Sequence, residues 1–348
     1  MNSKWTLATG FLILFLIGVF IFAENKRLSQ RANIVSGPKP SAGVRTQDLN
    51  PLSISAMRKK FYPGSKITIV QTLSPGSNYN QYIASYKSDG LTIYALLTVP
   101  EGNPPKNGWP AIIFNHGYIP PEQYSTTQKY VAYVDAFARN GYIVFKPDYR
   151  GNGNSQGIPE GAYYSPAYAT DVLNALSSVK QYKDVNPNKI GMWGHSMGGN
   201  ITLRDLVVDT KDIKAAVIWG GVVGSYSDIM YNWHRTAPFT PSQREIATRN
   251  NIRQNFIKTY GTPAQNPAFW NSIDPTHYLS DINTPIQLDV GGADEEVPPA
   301  FSENLYNKLK SLGKTVEFYS YPGSDHNISQ GFDLAIQRSI DFFNKYLK

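Results

Sequence analysis

The sequence predicts an α/β fold: a mostly parallel central sheet with helices on both faces. From Pro110 onward, short segments that are apolar on both faces alternate with amphipathic ones, as strands and their crossover helices do. Before Pro110, three segments rich in Ile, Val, Thr and Tyr are separated by tight-turn signals, as antiparallel strands are. Hydrophobic residues make up 41% and aromatics 13% of the 348, enough apolar material to cover such a sheet.

In order, 66–72, 80–86 and 91–99 form the antiparallel opening, with turns at Pro75-Gly76 and Ser88-Asp89-Gly90. A buried strand at 111–115, an amphipathic helix at 127–140 and a buried strand at 142–146 follow. Then come a helix over 167–180, a strand over 189–193, a helix over 199–208 and a strand over 215–219. Strands 285–290 and 315–319 flank a helix over 299–312, and a helix over 333–346 closes the chain. Between 221 and 278 the alternation lapses, and helical pieces around 242–260 fit a cap inserted over the carboxyl edge of the sheet. Core packing accounts for most of the many aromatics in this stretch. Tyr231, Trp233 and Phe239 are the candidates to line an apolar substrate pocket.

Ahead of this domain, which begins near Pro51, Lys4 precedes an apolar run over 7–23. Its roughly 17 residues lie at the short end of what spans a bilayer. Residues 1–24 are therefore expected to be a membrane anchor or signal segment. Ile21 and Ala23 make a poor cleavage site, which favours the anchor, with 25–50 as a polar linker and 51–348 outside the cytoplasm.

Composition removes several classes. The chain has no cysteine, hence no disulfide, thiolate zinc site or cysteine nucleophile. The net charge of +7 is scattered, and short bursts such as Arg58-Lys59-Lys60 read as solvated faces, so no nucleic-acid partner is expected. No ligand cluster or phosphate loop implies a metal or organic cofactor.

Gly-x-Ser-x-Gly occurs twice. Gly153-Asn154-Ser155-Gln156-Gly157 lies beyond its strand and runs into Ile158-Pro159, which cannot continue as a helix, so Ser155 is a loop serine. Gly194-His195-Ser196-Met197-Gly198 sits between a strand and a helix, the context of a nucleophile elbow. Ser196 then needs a base to take its proton. Of five histidines, His116 and His195 belong to other features, and His234 and His277 lie in or near the inserted segment. His326 follows the last strand and is the expected base. The orienting acid is expected after the preceding strand, at Asp294, with Glu295 and Glu296 as nearest competitors and Asp289 inside the strand itself. The oxyanion needs backbone N–H donors, expected from Met197 and from Tyr118 in Asn115-His116-Gly117-Tyr118. His116 is expected to brace that loop. Nucleophile, acid and base in this chain order make the expected architecture an α/β-hydrolase fold with a helical cap insertion.

Asn115-His116-Gly117, Asp148-Tyr149-Arg150-Gly151-Asn152-Gly153-Asn154-Ser155, Gly194-His195-Ser196-Met197-Gly198-Gly199 and Gly292-Ala293-Asp294 with Val297-Pro298 occur in order. This set resembles the catalytic domain of the prolyl oligopeptidase family and its dienelactone-hydrolase-like esterase relatives, from about Leu91 to the C-terminus. The resemblance implies that Arg150 and its glycines form a structural loop. Family peptidases carry a β-propeller before the hydrolase domain, and the about forty residues between linker and hydrolase are too few for one. The expected activity is hydrolysis of a small ester or short peptide bond through an acyl-enzyme. A carboxylesterase or lipase-like enzyme is the alternative. An inactive hydrolase fold used as a binding module is the rival from another class, and the complete set Ser196, Asp294 and His326 speaks against it.

Overall fold

A computed structural model describes residues 50–235 and 243–348, with side chains throughout except at 243–249. The expected anchor, the linker up to residue 49 and Phe239 lie outside the described residues. Among the described residues no helix is long and apolar enough to cross a membrane.

The strands are β1 (Thr68–Thr72), β2 (Tyr79–Ser88), β3 (Leu91–Pro100), β4 (Trp109–Asn115), β5 (Ile143–Pro147), β6 (Val185–His195), β7 (Ala215–Trp219), β8 (Ile286–Gly291) and β9 (Val316–Tyr321). They form one nine-stranded sheet in the order β1-β2-β3-β5-β4-β6-β7-β8-β9. The first three and the β3–β5 pair are antiparallel, and every pair from β5–β4 to β8–β9 is parallel. The β2–β3 hairpin turns through Asp89 and Gly90, at φ 49° and 81°, as a two-residue turn twisted to match its strands requires. β1 is exposed along its whole length, and its register breaks between Ile69 and Gln71.

The helices are α1 (Ile54–Lys59), α2 (Val131–Arg139), α3 (Ala167–Lys180), α4 (Met197–Val208), α5 (Gln243–Tyr260), α6 (Pro267–Ile273), α7 (Pro299–Ser311) and α8 (Phe332–Leu347). Side chains alternate across a strand, so each central strand feeds two cores. Ala111 and Ile113 pack with residues of α1, α3, α4 and α7, while Ile112 and Phe114 pack with α2 and α8 on the other face. Between β7 and β8 lie a π-helical turn (Asp228–Asn232), α5 and α6. There Tyr226, Phe269 and Trp270 close a small core of their own, so these aromatics serve packing.

Three local expectations change. α1 is an element the periodicity did not indicate: six residues are too few to show a period, but Ser53 caps it, its Oγ accepting the Ala56 N–H at 3.1 Å. The basic burst beside it is not simply solvated. Arg58 donates from Nε and Nη2 to Val207 O, at 2.8 and 2.6 Å, satisfying a carbonyl in the last turn of α4. Finally, α2 starts at Val131 and not at Thr127, because Tyr130 adopts the left-handed region, φ 63° and ψ 24°, and cannot belong to the helix.

Candidate active site

β6 delivers the chain into the sharpest turn of the site. Ser196 sits between β6 and α4 at φ 56° and ψ −119°, a region that costs a non-glycine residue about 1–3 kcal/mol. Backbone hydrogen bonds hold it there. The Ser196 N–H donates to Trp219 O, and its carbonyl accepts from the N–H groups of Gly199 and Val222, each at 3.0 Å. The glycines flanking the serine are obligatory for contact. A Cβ on Gly198 would lie 1.9 Å from Asn115 O, and one on Gly194 would lie 2.3 Å from Thr202 Oγ1. Ser155, in the other motif, is a buried loop residue whose Oγ accepts the Tyr94 N–H at 2.9 Å.

Asp294 lies in the loop after β8, its side chain fully buried. Oδ1 accepts the N–H groups of Glu296 and Val297, both at 2.9 Å, which aims Oδ2 at His326 Nδ1, 2.7 Å away. Of the four carboxylates considered, this is the one that meets the imidazole. Glu295 is exposed, and Asp289 is committed inside β8, accepting from Gln287 Nε2 and the Tyr321 hydroxyl, both at 2.7 Å. Burial pushes the Asp289 carboxyl up to about 7.

His326 lies in the loop after β9 and is 5% exposed. Its Nδ1 is engaged by Asp294, and its Nε2 has no hydrogen bond among the described residues. The ring is close to the elbow: Gly220, next to the carbonyl that holds Ser196, would bring a Cβ within 3.1 Å of His326 Nδ1. The structure thus brings Ser196, Asp294 and His326 to the carboxyl ends of β6, β8 and β9.

Two backbone donors border the same turn. Met197 is the first residue of α4, so its N–H has no intrahelical acceptor and lies at the positive end of the helix. Tyr118 follows β4. His116, stacked between Tyr124 and Tyr149 at 4.6 and 4.3 Å, has Nδ1 2.7 Å from Gly117 O. Burial pushes its imidazole down to about 3, so the ring is neutral and donates this bond. In a trans peptide the N–H points opposite the C=O, so tethering Gly117 O sets the direction of the Tyr118 N–H.

Arg150 makes a fork to Asp171, with Nη2 and Nε at 2.8 and 3.1 Å, and its own N–H donates to the same carboxylate at 2.8 Å. Both side chains are nearly buried, and the pair fixes the loop that carries Arg150. Trp233 donates its indole N–H to Glu296 O at 2.7 Å, which ties it to the loop carrying Asp294. Tyr231 is 49% exposed on the π-helical turn. The cavity beside His326, about 320 Å³, is lined not by these aromatics but by polar residues that include Glu295, Glu296 and Asp325. Nor did the sequence flag two groups that touch the site, Tyr130 and His195. The hydrogen bond between them joins residues 65 apart, and only the position of His195 beside Ser196 hinted at it.

A parallel-centred sheet with its buried acid–imidazole pair beside a strained serine elbow defines a serine hydrolase of the α/β-hydrolase class. The chain belongs to the prolyl oligopeptidase family, whose model matches residues 127–348. It is 25% identical over 257 residues to the uncharacterized peptidase YtmA of Bacillus subtilis, covering 73% of this chain and 88% of that protein. Among solved structures, an acetyl xylan esterase from Paenibacillus sp. R4 superposes with a TM-score of 0.62 at 19% identity, over 84% of this chain and 92% of the esterase. An acylaminoacyl peptidase of Pyrococcus horikoshii superposes with a TM-score of 0.61 at 21% identity, over 78% of this chain but 43% of the peptidase.

Proposed function

We propose that Ser196 is the nucleophile, His326 the base, Asp294 the orienting acid, and the N–H groups of Met197 and Tyr118 the oxyanion donors, in hydrolysis of a small ester or short peptide bond. The observation that carries this reading is the 2.7 Å contact of Asp294 Oδ2 with His326 Nδ1, which leaves Nε2 unengaged beside the elbow. A carboxylate accepts the Nδ1 proton, so Nε2 is the basic nitrogen. Ser196 Oγ attacks the carbonyl carbon as its proton passes to Nε2, and the oxyanion forms against the two N–H groups. The imidazolium then gives that proton to the departing alcohol or amine. Water repeats the sequence on the acyl-enzyme and releases the acid and free serine.

Relatives of both kinds support a small substrate, since the match extends over 92% of an acetyl xylan esterase and 88% of the peptidase YtmA. We also propose that the segment between β7 and β8 caps the site, and that residues 1–24 anchor an extracytoplasmic enzyme. The test is a fluorophosphonate probe with a panel of p-nitrophenyl esters and aminoacyl and dipeptidyl amides. Ser196→Ala should abolish labelling and turnover, and Ser155→Ala should keep both within a few-fold. Labelling that survives in Ser196→Ala would remove the assignment, and turnover of amides but not of acetyl esters would remove the ester from this reading.

A further inference from the structure

Tyr130 and His195 lie outside the reacting groups, yet they join the two loops that border Ser196. The Gly117 N–H donates to the Tyr130 hydroxyl at 2.8 Å, that hydroxyl lies 2.7 Å from His195 Nδ1, and His195 Nε2 lies 3.1 Å from the carbonyl oxygen of His326. The direction of each bond follows from the partners. A carbonyl can only accept, so His195 Nε2 carries a proton. Burial pushes the His195 imidazole down to about 3, so the ring is neutral and Nδ1 is bare. Nδ1 must then accept from the Tyr130 O–H, which leaves the phenol oxygen free to accept from Gly117.

Other features fit this arrangement. Tyr130 holds a left-handed backbone at φ 63°, unusual for a bulky residue, and the ring turns inward against Phe114 and Trp193, with centroids 5.5 and 6.2 Å away. A side chain on Gly117 would meet the phenol oxygen at 2.6 Å and Ser196 Cβ at 3.1 Å, so the strand-end loop packs directly on both. The Gly117 N–H is spent on Tyr130, so this bond pins the loop one residue ahead of Tyr118, the oxyanion donor proposed above. At the far end the acceptor is the backbone of the base itself.

We infer that Tyr130 and His195 are positioning residues whose one-way hydrogen-bond chain sets the oxyanion loop and the base loop in register on either side of Ser196. The inference rests on the roles proposed above for Ser196 and His326. The link between the loops runs through both residues, so cutting it at either one uncouples them even though one outer bond remains, to Gly117 or to His326, and the two losses overlap and do not multiply.

The experiment compares Tyr130→Phe, His195→Phe and the double variant in the full chain. It reads the phosphonylation rate with a fluorophosphonate, kcat and KM on p-nitrophenyl acetate, inhibition by a trifluoromethyl ketone, and Tm. Each single variant should lower kcat and the phosphonylation rate about ten-fold with KM within two-fold, the scale of one misplaced hydrogen bond. The ketone, which forms a tetrahedral adduct on the serine, should weaken in parallel. The double variant should be no slower than the slower single. Singles within two-fold of wild type, or a double whose loss is the product of the two, would overturn the inference. Should His195→Phe fail to fold, Tyr130→Phe decides alone, since it deletes one oxygen and keeps the ring contacts. Ser196→Ala in the same assay separates the two claims: if it still reacts, the site assignment fails, whereas an inert Ser196→Ala beside an unaffected Tyr130→Phe sinks only the positioning role.

Discussion

Replacing Asp294 by asparagine exchanges one carboxylate oxygen for an NH2 group of nearly the same size. Two backbone donors decide how that amide sits, because the N–H groups of Glu296 and Val297 both point at Oδ1 at 2.9 Å. Keeping the amide oxygen there preserves both bonds and turns the NH2 toward His326 Nδ1. The reverse orientation gives up two hydrogen bonds at about 1 kcal/mol each. The first orientation is therefore favoured by about 2 kcal/mol, or roughly thirty-fold. It forces Nδ1 to accept, so the proton moves to Nε2 and the ring cannot take the serine's proton. Loss of the negative charge that stabilises the imidazolium adds to this. The expected fall in kcat is on the order of 10⁴, as for the same swap in a serine protease. The measurement is kcat on p-nitrophenyl acetate together with a thermal melt, alongside Glu295→Gln and Glu296→Gln, which should cost little. A folded Asp294→Asn within ten-fold of wild type, or a large loss in either glutamate variant, would refute the reasoning.

Asp289 predicts a pH-dependent stability. Its carboxyl is raised to about 7 in the fold against about 3.9 unfolded, so between those values the folded chain holds a proton that the unfolded chain has lost, and stability falls as pH rises through this window. Three units correspond to up to about 4 kcal/mol, and Asp289→Asn should gain on wild type by that margin between pH 4 and pH 7 in chemical denaturation, with kcat nearly unchanged. A constant difference between the two proteins across that range would refute it. Gly198→Ala sets a methyl 1.9 Å from Asn115 O, so it should lower stability by about 1–3 kcal/mol and slow phosphonylation as the oxyanion loop is pushed away. An unchanged melt and rate would show that the loop yields freely. Removing residues 1–49 should leave hydrolase activity intact and, on the anchor role proposed for residues 1–24, move the protein from the membrane to the soluble fraction, and a full chain recovered unprocessed in the cytosol would remove the anchor.

Legibility followed the range of the interactions. The strands from β4 to β8 are largely buried on both faces, so their apolar runs stand out against polar turns, and the bounds of β7 and α3 were readable as they occur. The elbow was readable too, because strand, glycines and helix are contiguous in sequence. What was hidden depends on partners far along the chain. Arg58 belongs to the end of α4 through a bond spanning 149 residues, and Tyr130 stands outside the helix in a left-handed backbone while its hydroxyl meets His195, 65 residues on. The choice among Asp294, Glu295 and Glu296 turned on which carboxylate the local N–H groups could aim, which a spacing rule approximates but does not contain. The cavity beside His326 is polar because loops, and not the aromatic segment, meet there.

The break in register at β1 bears on how molecules of this protein meet. An edge strand leaves a row of N–H and C=O groups with no neighbour, and any passing extended chain can dock on them. Here Thr68 and Ile69 are in step with Ser85 and Ala84, but Gln71 and Thr72 have slipped by one, with Val70 as the unmatched residue. A straight strand aligned with one half is out of phase with the other, so the rim offers two fragments of ladder of a couple of residues each. Neither is long enough to repay the ordering of an incoming strand. Among the described residues this border is uncovered, with Ile69 and Val70 facing water, and a single inserted residue interrupts the ladder that templated fibre growth would need.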